Sequence, residues 1–315
     1  MNLFKLTNNQ LEEIETDEFN LERDIQSLFE KNLENLFNLK FVKSEFTIGK
    51  YRIDTLAFNE ENNSFVIIEY KKGSSYSVID QGFTYLSLMV NNKADFILEL
   101  NENTNINIKR DDIDWSQSKI IFISPSFNTY QKDSINFGDI RFELWEIKKY
   151  KNNLIGLEQQ KPSSKESLKK FENTNKKISQ VNNEIIVLEE SDHTKKCSEK
   201  ILQLWEEVKD MINNIDNYEY NVTKGYISIK KNKTVSYVHF NKNILGFDFV
   251  RGNIYAKGKK SKDFFTFDDP KEIAQEKIVN WTSGDKRHYY HVEINSKDQI
   301  EYLIWLFKQK SKSIN

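Results

Sequence analysis

The spacing of apolar positions changes along this 315-residue chain, and each change marks an element. Over residues 18–37 (EFNLERDIQSLFEKNLENLF), Leu21, Ile25, Leu28, Phe29, Leu33 and Leu36 recur at three- and four-residue spacing, which predicts an amphipathic helix. Residues 51–58 (YRIDTLAF) and 64–72 (SFVIIEYKK) are instead apolar on both faces, as central strands are. Turn formers cluster between them at Asn59-Glu60-Glu61-Asn62-Asn63-Ser64, so the pair predicts a hairpin. Helical spacing returns over 77–90 with Ile79, Phe83, Leu86 and Val90. ADFILEL (94–100) and KIIFIS (119–124) predict buried strands. RFELWEIKKY (141–150) and LIGLEQ predict a second hairpin across Lys151-Asn152-Asn153.

Beyond this the composition shifts. Residues 159–194, with the stretch QQKPSSKESLKKFENTNKKISQ, are polar and rich in Lys and Ser, and predict a linker. Within it Glu184–Glu190 (EIIVLEE) has the character of a short strand. The domains are then 1–158 and 195–315. The second opens with a helix at 196–213, whose apolar face is Ile201, Leu204, Trp205, Val208 and Ile212. Strands follow at 225–231, 234–241 and about 286–294. A helix at 297–310 closes it, with Ser296 and Gln299 forming a capping box.

Two domains suit the length. A net charge of −2 is unlike a nucleic-acid binder, but it hides an asymmetry: residues 196–315 carry +5 and residues 1–195 carry −7. The lone Cys197 excludes an intramolecular disulfide, no signal-like leader opens the chain, and no apolar run is long enough to span a bilayer. These features point to a cytoplasmic protein with no membrane partner.

Candidate chemistry lies on the first hairpin. A turn centred between Glu61 and Asn62 makes paired positions sum to 123, so Phe58 faces Phe65 and Asp54 faces Glu69, with Cβ atoms roughly 5 Å apart. Alternation puts Lys71 on the face of Glu69. Two carboxylates that close repel unless a cation lies between them, and Mg²⁺, a hard ion that prefers oxygen ligands, suits the task. Asp54 and Glu69 are the candidate metal ligands. Lys71 is placed to orient a water or offset charge on a phosphorane. A structural ion pair at a strand end is the competing reading. The same acid-x-Lys triplet recurs at Glu146-Ile147-Lys148, Glu207-Val208-Lys209 and Asp269-Pro270-Lys271. Only Glu69-Tyr70-Lys71 combines an apolar strand, an acid in register and a following helix. Gln81 and Tyr85 fall one turn apart on that helix.

Asp54, Glu69-x-Lys71 and Gln81-xxx-Tyr85 together resemble the PD-(D/E)xK nuclease superfamily, in the pattern of its RecB-like and mismatch-type (NucS-like) endonucleases. Ile53 stands where that family's name has proline, which is not a ligand. The resemblance implies an α/β fold, a restriction-endonuclease-like αβββαβ core with a second, smaller α+β domain. It also implies Mg²⁺ (or Mn²⁺) as cofactor, DNA as partner, and roles for Gln81 and Tyr85 in contacting nucleic acid or buttressing the site. Members often bring a first-helix glutamate to the metal, and Glu22 or Glu30 could match it; taken singly, each reads first as part of a solvated helix face. Many members dimerise to cut both strands, so a homodimer is compatible with it. Restriction, phage defence or repair would suit such an enzyme. Residues 1–158 also resemble the nuclease-like half of bacterial "predicted transport proteins", and the second domain an uncharacterised family found behind such nucleases.

Between Lys224 and Lys262 ten residues are basic and only Asp248 is acidic. Tyr226, Tyr237, Phe240, Phe247, Phe249 and Tyr255 are interleaved, and Lys257, Lys259, Lys260 and Lys262 form a basic loop. Basic groups neutralise phosphates and aromatics stack on bases, so this is a candidate nucleic-acid surface, against the alternative of a solvated sheet over an aromatic core. His239, His288 and His291 lack metal-site spacing. Two other functions fit the same residues: a catalytically silent interaction module that keeps the fold, and an RNA-cleaving effector.

Overall fold

The computed structural model describes residues 2–73, 78–136, 141–162, 188–231, 233–254, 260–261, 264–280 and 286–314. The chain divides into two units, Met1–Thr104 with Ile108–Val187, and Asn105–Asn107 with Leu188–Asn315. In the first, β1 (Phe4–Thr7) and β2 (Gln10–Glu13) make a small exposed hairpin, followed by β3 (Thr16–Asp17), α1 (Glu22–Glu30) and α2 (Leu33–Phe37). Then come β4 (Lys40–Ile48), β5 (Tyr51–Asn59), β6 (Ser64–Tyr70), α3 (Val78–Asn91) and α4 (Lys93–Asn103). The unit's remaining elements are β7 (Lys119–Ser124), α5 (Thr129–Ser134), β8 (Phe142–Tyr150) and β9 (Leu154–Gln160).

The sheet runs β4-β5-β6-β7-β8, with β3 and β9 also paired to β8. Strands β4, β5 and β6 are antiparallel neighbours, and β7 lies parallel to both β6 and β8. Helix, three antiparallel strands, helix, parallel strand is the restriction-endonuclease-like αβββαβ order. On one face Ile25, Phe29 and Leu33 pack over Ala57, Val66, Ile68 and Tyr70. On the other, Phe96 of α4 packs its ring against Phe46 and Phe65, and Phe83 of α3 packs against Phe142. Covered on both sides, all seven residues of β6 are buried.

Two expectations need correction. The single helix at 18–37 is two helices, because the Asn32 side-chain amide donates to the Leu28 carbonyl at 2.7 Å and interrupts the run. The strand expected at 94–100 is part of α4. Phe96 and Leu100, one turn apart, are fully buried while Leu98 is 56% exposed, whereas a strand would put all three on one face. Ala, Leu and Glu in that stretch favour the helix. Strand β4 has no clear strand signature in the sequence, because Lys40, Lys43 and Glu45 break its apolar pattern. The hairpin across Lys151-Asn152-Asn153 forms as expected, with Asn152 and Asn153 both at positive φ.

The second unit is a six-stranded antiparallel sheet in the order β10-β11-β12-β13-β15-β14. Its strands are β10 (Glu219–Val222), β11 (Ile227–Lys230), β12 (Thr234–Phe240), β13 (Leu245–Ile254), β14 (Gln275–Asn280) and β15 (Lys286–Ile294). Trp205, Val208 and Ile212 of helix Glu199–Asn213 and Leu303 and Phe307 of helix Ile300–Ser313 share its core with Phe247 and Phe249. Ser296 and Gln299 form the expected capping box, on the 3₁₀ turn Lys297–Gln299 that leads into the last helix. Most of the expected linker, 163–187, lies outside the described residues, and with it nearly all of the strand expected at Glu184–Glu190. Glu190 opens a short helix, Glu190–Thr194, which ties into the second unit when Trp205 Nε1 donates to Glu190 Oε1 at 2.9 Å.

Candidate active site

The β5–β6 ladder has the expected register, with Phe58 opposite Phe65 and Thr55 opposite Ile68. One step further, the backbone pairing gives way to side-chain chemistry. Asp54 Oδ2 accepts the Tyr70 N–H at 3.0 Å, and the Lys71 N–H turns to the Ile123 carbonyl on β7 at 2.9 Å. Lys71 Nζ donates to Glu69 Oε1 at 2.8 Å. Helix α3 brings the other two residues: Gln81 Nε2 donates to the same Glu69 oxygen at 2.5 Å and to the Tyr85 hydroxyl at 2.9 Å. Tyr85 in turn donates to the Arg52 carbonyl at 2.9 Å. Glu69, Lys71, Gln81 and Tyr85 are thus one hydrogen-bonded group, and Asp54 is anchored to the Tyr70 backbone between Glu69 and Lys71.

Gly82 lets α3 approach this closely. A Cβ there would lie 2.4 Å from the ring tip of Phe142, whose ring is itself packed on Phe83 and Phe122. Gly82→Ala is expected to cost about 1–3 kcal/mol, as overpacking does, and to weaken the Gln81–Glu69 contact. Urea unfolding of the purified variant measures the first effect.

The electrostatics set the group's character. Glu69 is 3% exposed, and its Oε2 is buried with no hydrogen-bond partner among the described residues. Burial, reinforced by the Glu69 charge, pushes the Asp54 carboxyl up from 3.8 to about 7. Burial works against the Lys71 ammonium, but the Glu69, Asp54 and Glu22 charges outweigh it and raise its pKa. These charges favour the protonated ammonium of Lys71. Burial, with the Glu69 charge, raises the Tyr85 phenol too, so it remains a donor.

A divalent cation fits this donor set. An acid that holds its proton to about pH 7 and a buried carboxylate oxygen without a partner are hard oxygen donors short of positive charge. Among the described residues no three His, Cys, Asp or Glu side chains converge at metal-ligand spacing. Two carboxylates suffice for Mg²⁺, which keeps several waters and commonly binds through one or two carboxylates plus substrate phosphate.

The two first-helix acids part company. Glu22 Oε1 accepts the Lys72 N–H at 2.9 Å, at the end of β6 and within electrostatic reach of Lys71. Glu30 Oε1 accepts from Thr55 Oγ1 at 2.7 Å and Gln26 Nε2 at 3.0 Å. Thr55 alternates with Asp54 and points to the opposite face, so Glu30 lies across the sheet from the Asp54–Glu69 pair.

Sequence reasoning missed Glu45 and Arg52. The pairs Ser44↔Thr55 and Phe46↔Ile53 bracket Glu45 and Asp54, and the Glu45 charge acts on Asp54. The signal was the Gly49-Lys50 turn, which sets Ile48 opposite Tyr51 and hence position 45 opposite 54.

In the second unit, Lys257, Lys259 and Lys262 lie outside the described residues, as does Tyr255. Lys260 is exposed, with Nζ 4.8 Å from the centre of the Phe264 ring. Phe240, Phe247 and Phe249 belong to the core and are closed to bases, while the Tyr226 and Tyr237 rings meet at 4.7 Å. Asp248 binds His239 Nε2 at 3.0 Å, His291 Nδ1 at 2.5 Å and Lys277 Nζ at 2.6 Å. Burial alone would raise the Asp248 carboxyl, but those hydrogen bonds carry it below the usual carboxylate range. Sequence spacing could not show this cluster, which draws on three neighbouring strands, β12, β13 and β15, and on edge strand β14.

No helix among the described residues is long and apolar enough to cross a membrane. No family model matches the chain. Among solved structures it overlaps in part with an EndoMS–dsDNA complex (TM-score 0.29, 16% identity, 46% of this chain and 64% of that one). It also overlaps a repair endonuclease from Pyrococcus abyssi (TM-score 0.26, 16% identity, 41% and 49%) and Pyrococcus furiosus SfsA in complex with Ca²⁺ (TM-score 0.27, 13% identity, 44% and 64%). The matches span less than two thirds of each of those chains, and overlaps so partial add nothing to the fold visible in the element order. An uncharacterised protein of Haemophilus influenzae is 39% identical over 316 residues, covering 99% of this chain and 100% of the relative. This chain belongs to the same family as that Haemophilus protein.

Proposed function

We propose that the first unit hydrolyses phosphodiester bonds in DNA with the help of a divalent cation. The observation that carries the reading is the buried Glu69, which is tied to Lys71 and Gln81 through one oxygen and keeps the other unpartnered beside Asp54. DNA as substrate follows from the resemblance of the Asp54, Glu69-x-Lys71 and Gln81-xxx-Tyr85 pattern to RecB-like and mismatch-type endonucleases. Asp54 and Glu69 hold the metal in this reading, with Glu22 the first-helix acid nearest Lys71. Bound there, Mg²⁺ or Mn²⁺ would supply Lewis-acid polarisation of the phosphate and a more acidic water. Lys71, kept protonated, stabilises charge that develops on the phosphate oxygens. Gln81 fixes the Glu69 carboxylate, and Tyr85 fixes α3 to β5. A cytoplasmic role in restriction, phage defence or repair is the setting this chemistry suits.

Incubating the purified protein with plasmid, linear duplex, single-stranded DNA and RNA, each in Mg²⁺, Mn²⁺ and EDTA, tests the proposal. Metal-dependent cutting of DNA is expected. Binding without cutting would replace the reading with a silent interaction module, and cutting of RNA alone with an RNA-cleaving effector.

A further inference from the structure

Arg52 stands two residues before Asp54 on the same side of β5. Its carbonyl is held by the Tyr85 hydroxyl, so its backbone is fixed to the site through α3. Its side chain is 68% exposed, and Nε lies 2.7 Å from Glu45 Oε2. Glu45 occupies the bracketed position opposite Asp54 with φ +55°, a left-handed conformation uncommon outside glycine. The fold therefore rests an exposed guanidinium on a carboxylate whose charge reaches Asp54 of the acidic site and whose other oxygen accepts from Gln26 Nε2 at 3.4 Å. The substrate proposed for that site is a polyanion, which this acidic surround would otherwise repel.

Exposed ion pairs hold weakly, whereas a guanidinium matches phosphate through two parallel hydrogen bonds. We propose that Arg52 contacts a backbone phosphate next to the one being cut, and that Glu45 holds the guanidinium in place until substrate arrives. Substrate binding then exchanges a carboxylate partner for a phosphate partner at Arg52. The inference rests on the nuclease reading and adds to it a positioning residue for the substrate backbone and a guard for that residue.

The test is the salt dependence of duplex binding by fluorescence anisotropy in EDTA, with kcat/KM for metal-dependent cleavage followed in parallel. Arg52→Ala is expected to weaken binding about tenfold at low salt and to lower the slope of log K against log salt by about one. Arg52→Lys keeps the slope, since a cation remains. Glu45→Gln is expected to tighten binding about threefold, because it releases Arg52 and removes a like charge from the phosphate. Opposite signs from the two ends of one ion pair are the signature, since a purely structural bridge would shift both variants the same way. An unchanged slope and affinity in Arg52→Ala, or shifts of the same sign in Arg52→Ala and Glu45→Gln, would overturn the inference while wild-type cleavage left the nuclease reading standing. A wild-type protein that neither bound nor cut polynucleotide would overturn both.

Discussion

Lys71→Met is expected to lower the cleavage rate by about 10²–10⁴-fold, the range seen when a preorganised electrostatic group is removed from a reacting centre. The loss falls on kcat more than on KM, because Lys71 is tied to Glu69 within the protein and meets charge fully only as it develops on the phosphate. The side chain is 18% exposed, and the surrounding carboxylates raise its pKa and favour the protonated ammonium. Lys71→Arg should recover little, since a planar fork does not replace a compact point charge at this distance from Glu69. Single-turnover rates for wild type, Lys71→Met and Lys71→Arg provide the check, with circular dichroism to show that each variant folds. A Lys71→Met protein within a few-fold of wild type would remove Lys71 from the mechanism.

Asp54→Asn is expected to abolish cleavage and yet stabilise the metal-free protein. The folded-state pKa of Asp54, about 7, lies above its ordinary 3.8. The folded protein therefore holds this proton more tightly than the unfolded chain does. The associated stability is fully present below about pH 4 and is lost as pH rises through about 7. Asparagine removes that loss, so the variant's advantage in EDTA should be near zero at pH 4 and grow to about 1–3 kcal/mol above pH 7, allowing for solvent screening at a half-buried site. Added Mg²⁺ should reverse the order, because a ligand that binds only the folded wild type stabilises it by mass action. Thermal melts from pH 4 to 8, with EDTA and with Mg²⁺, read both effects. An Asn variant less stable than wild type in EDTA at pH 8 would mean that Asp54 is a satisfied structural group.

The hairpin that carries the candidate site was legible because its determinants are local. The turn at 59–64 fixes the register, two residues of alternation fix the face of Lys71, and one helical turn links Gln81 to Tyr85. Legibility failed where apolar spacing is shared between periods. Phe96, Leu98 and Leu100 satisfy both a strand and a helix, and only the exposure of Leu98 separates them. It failed again where polar residues interrupt a strand, as in β4, and with that strand went Glu45 and its place opposite Asp54. The choice between Glu22 and Glu30 needed three dimensions, because Thr55 and the sheet itself stand between Glu30 and the site. In the second unit the interleaved aromatics looked alike in sequence, but alternation sends Phe240, Phe247 and Phe249 inward to the helices. The buried Asp248 with its two histidines had no sequence spacing to betray it.

The most direct measurement is the nicking or cutting of supercoiled plasmid by wild type and Glu69→Gln side by side, in Mg²⁺ and in EDTA. Glutamine keeps the size of the side chain and an acceptor for Lys71 and Gln81 while removing the charge. Cleavage by the wild type in Mg²⁺ alone is the predicted result. Cleavage that survives in Glu69→Gln or in EDTA, or a wild-type protein that leaves the plasmid intact in Mg²⁺, would contradict a metal-dependent nuclease built on Asp54, Glu69 and Lys71.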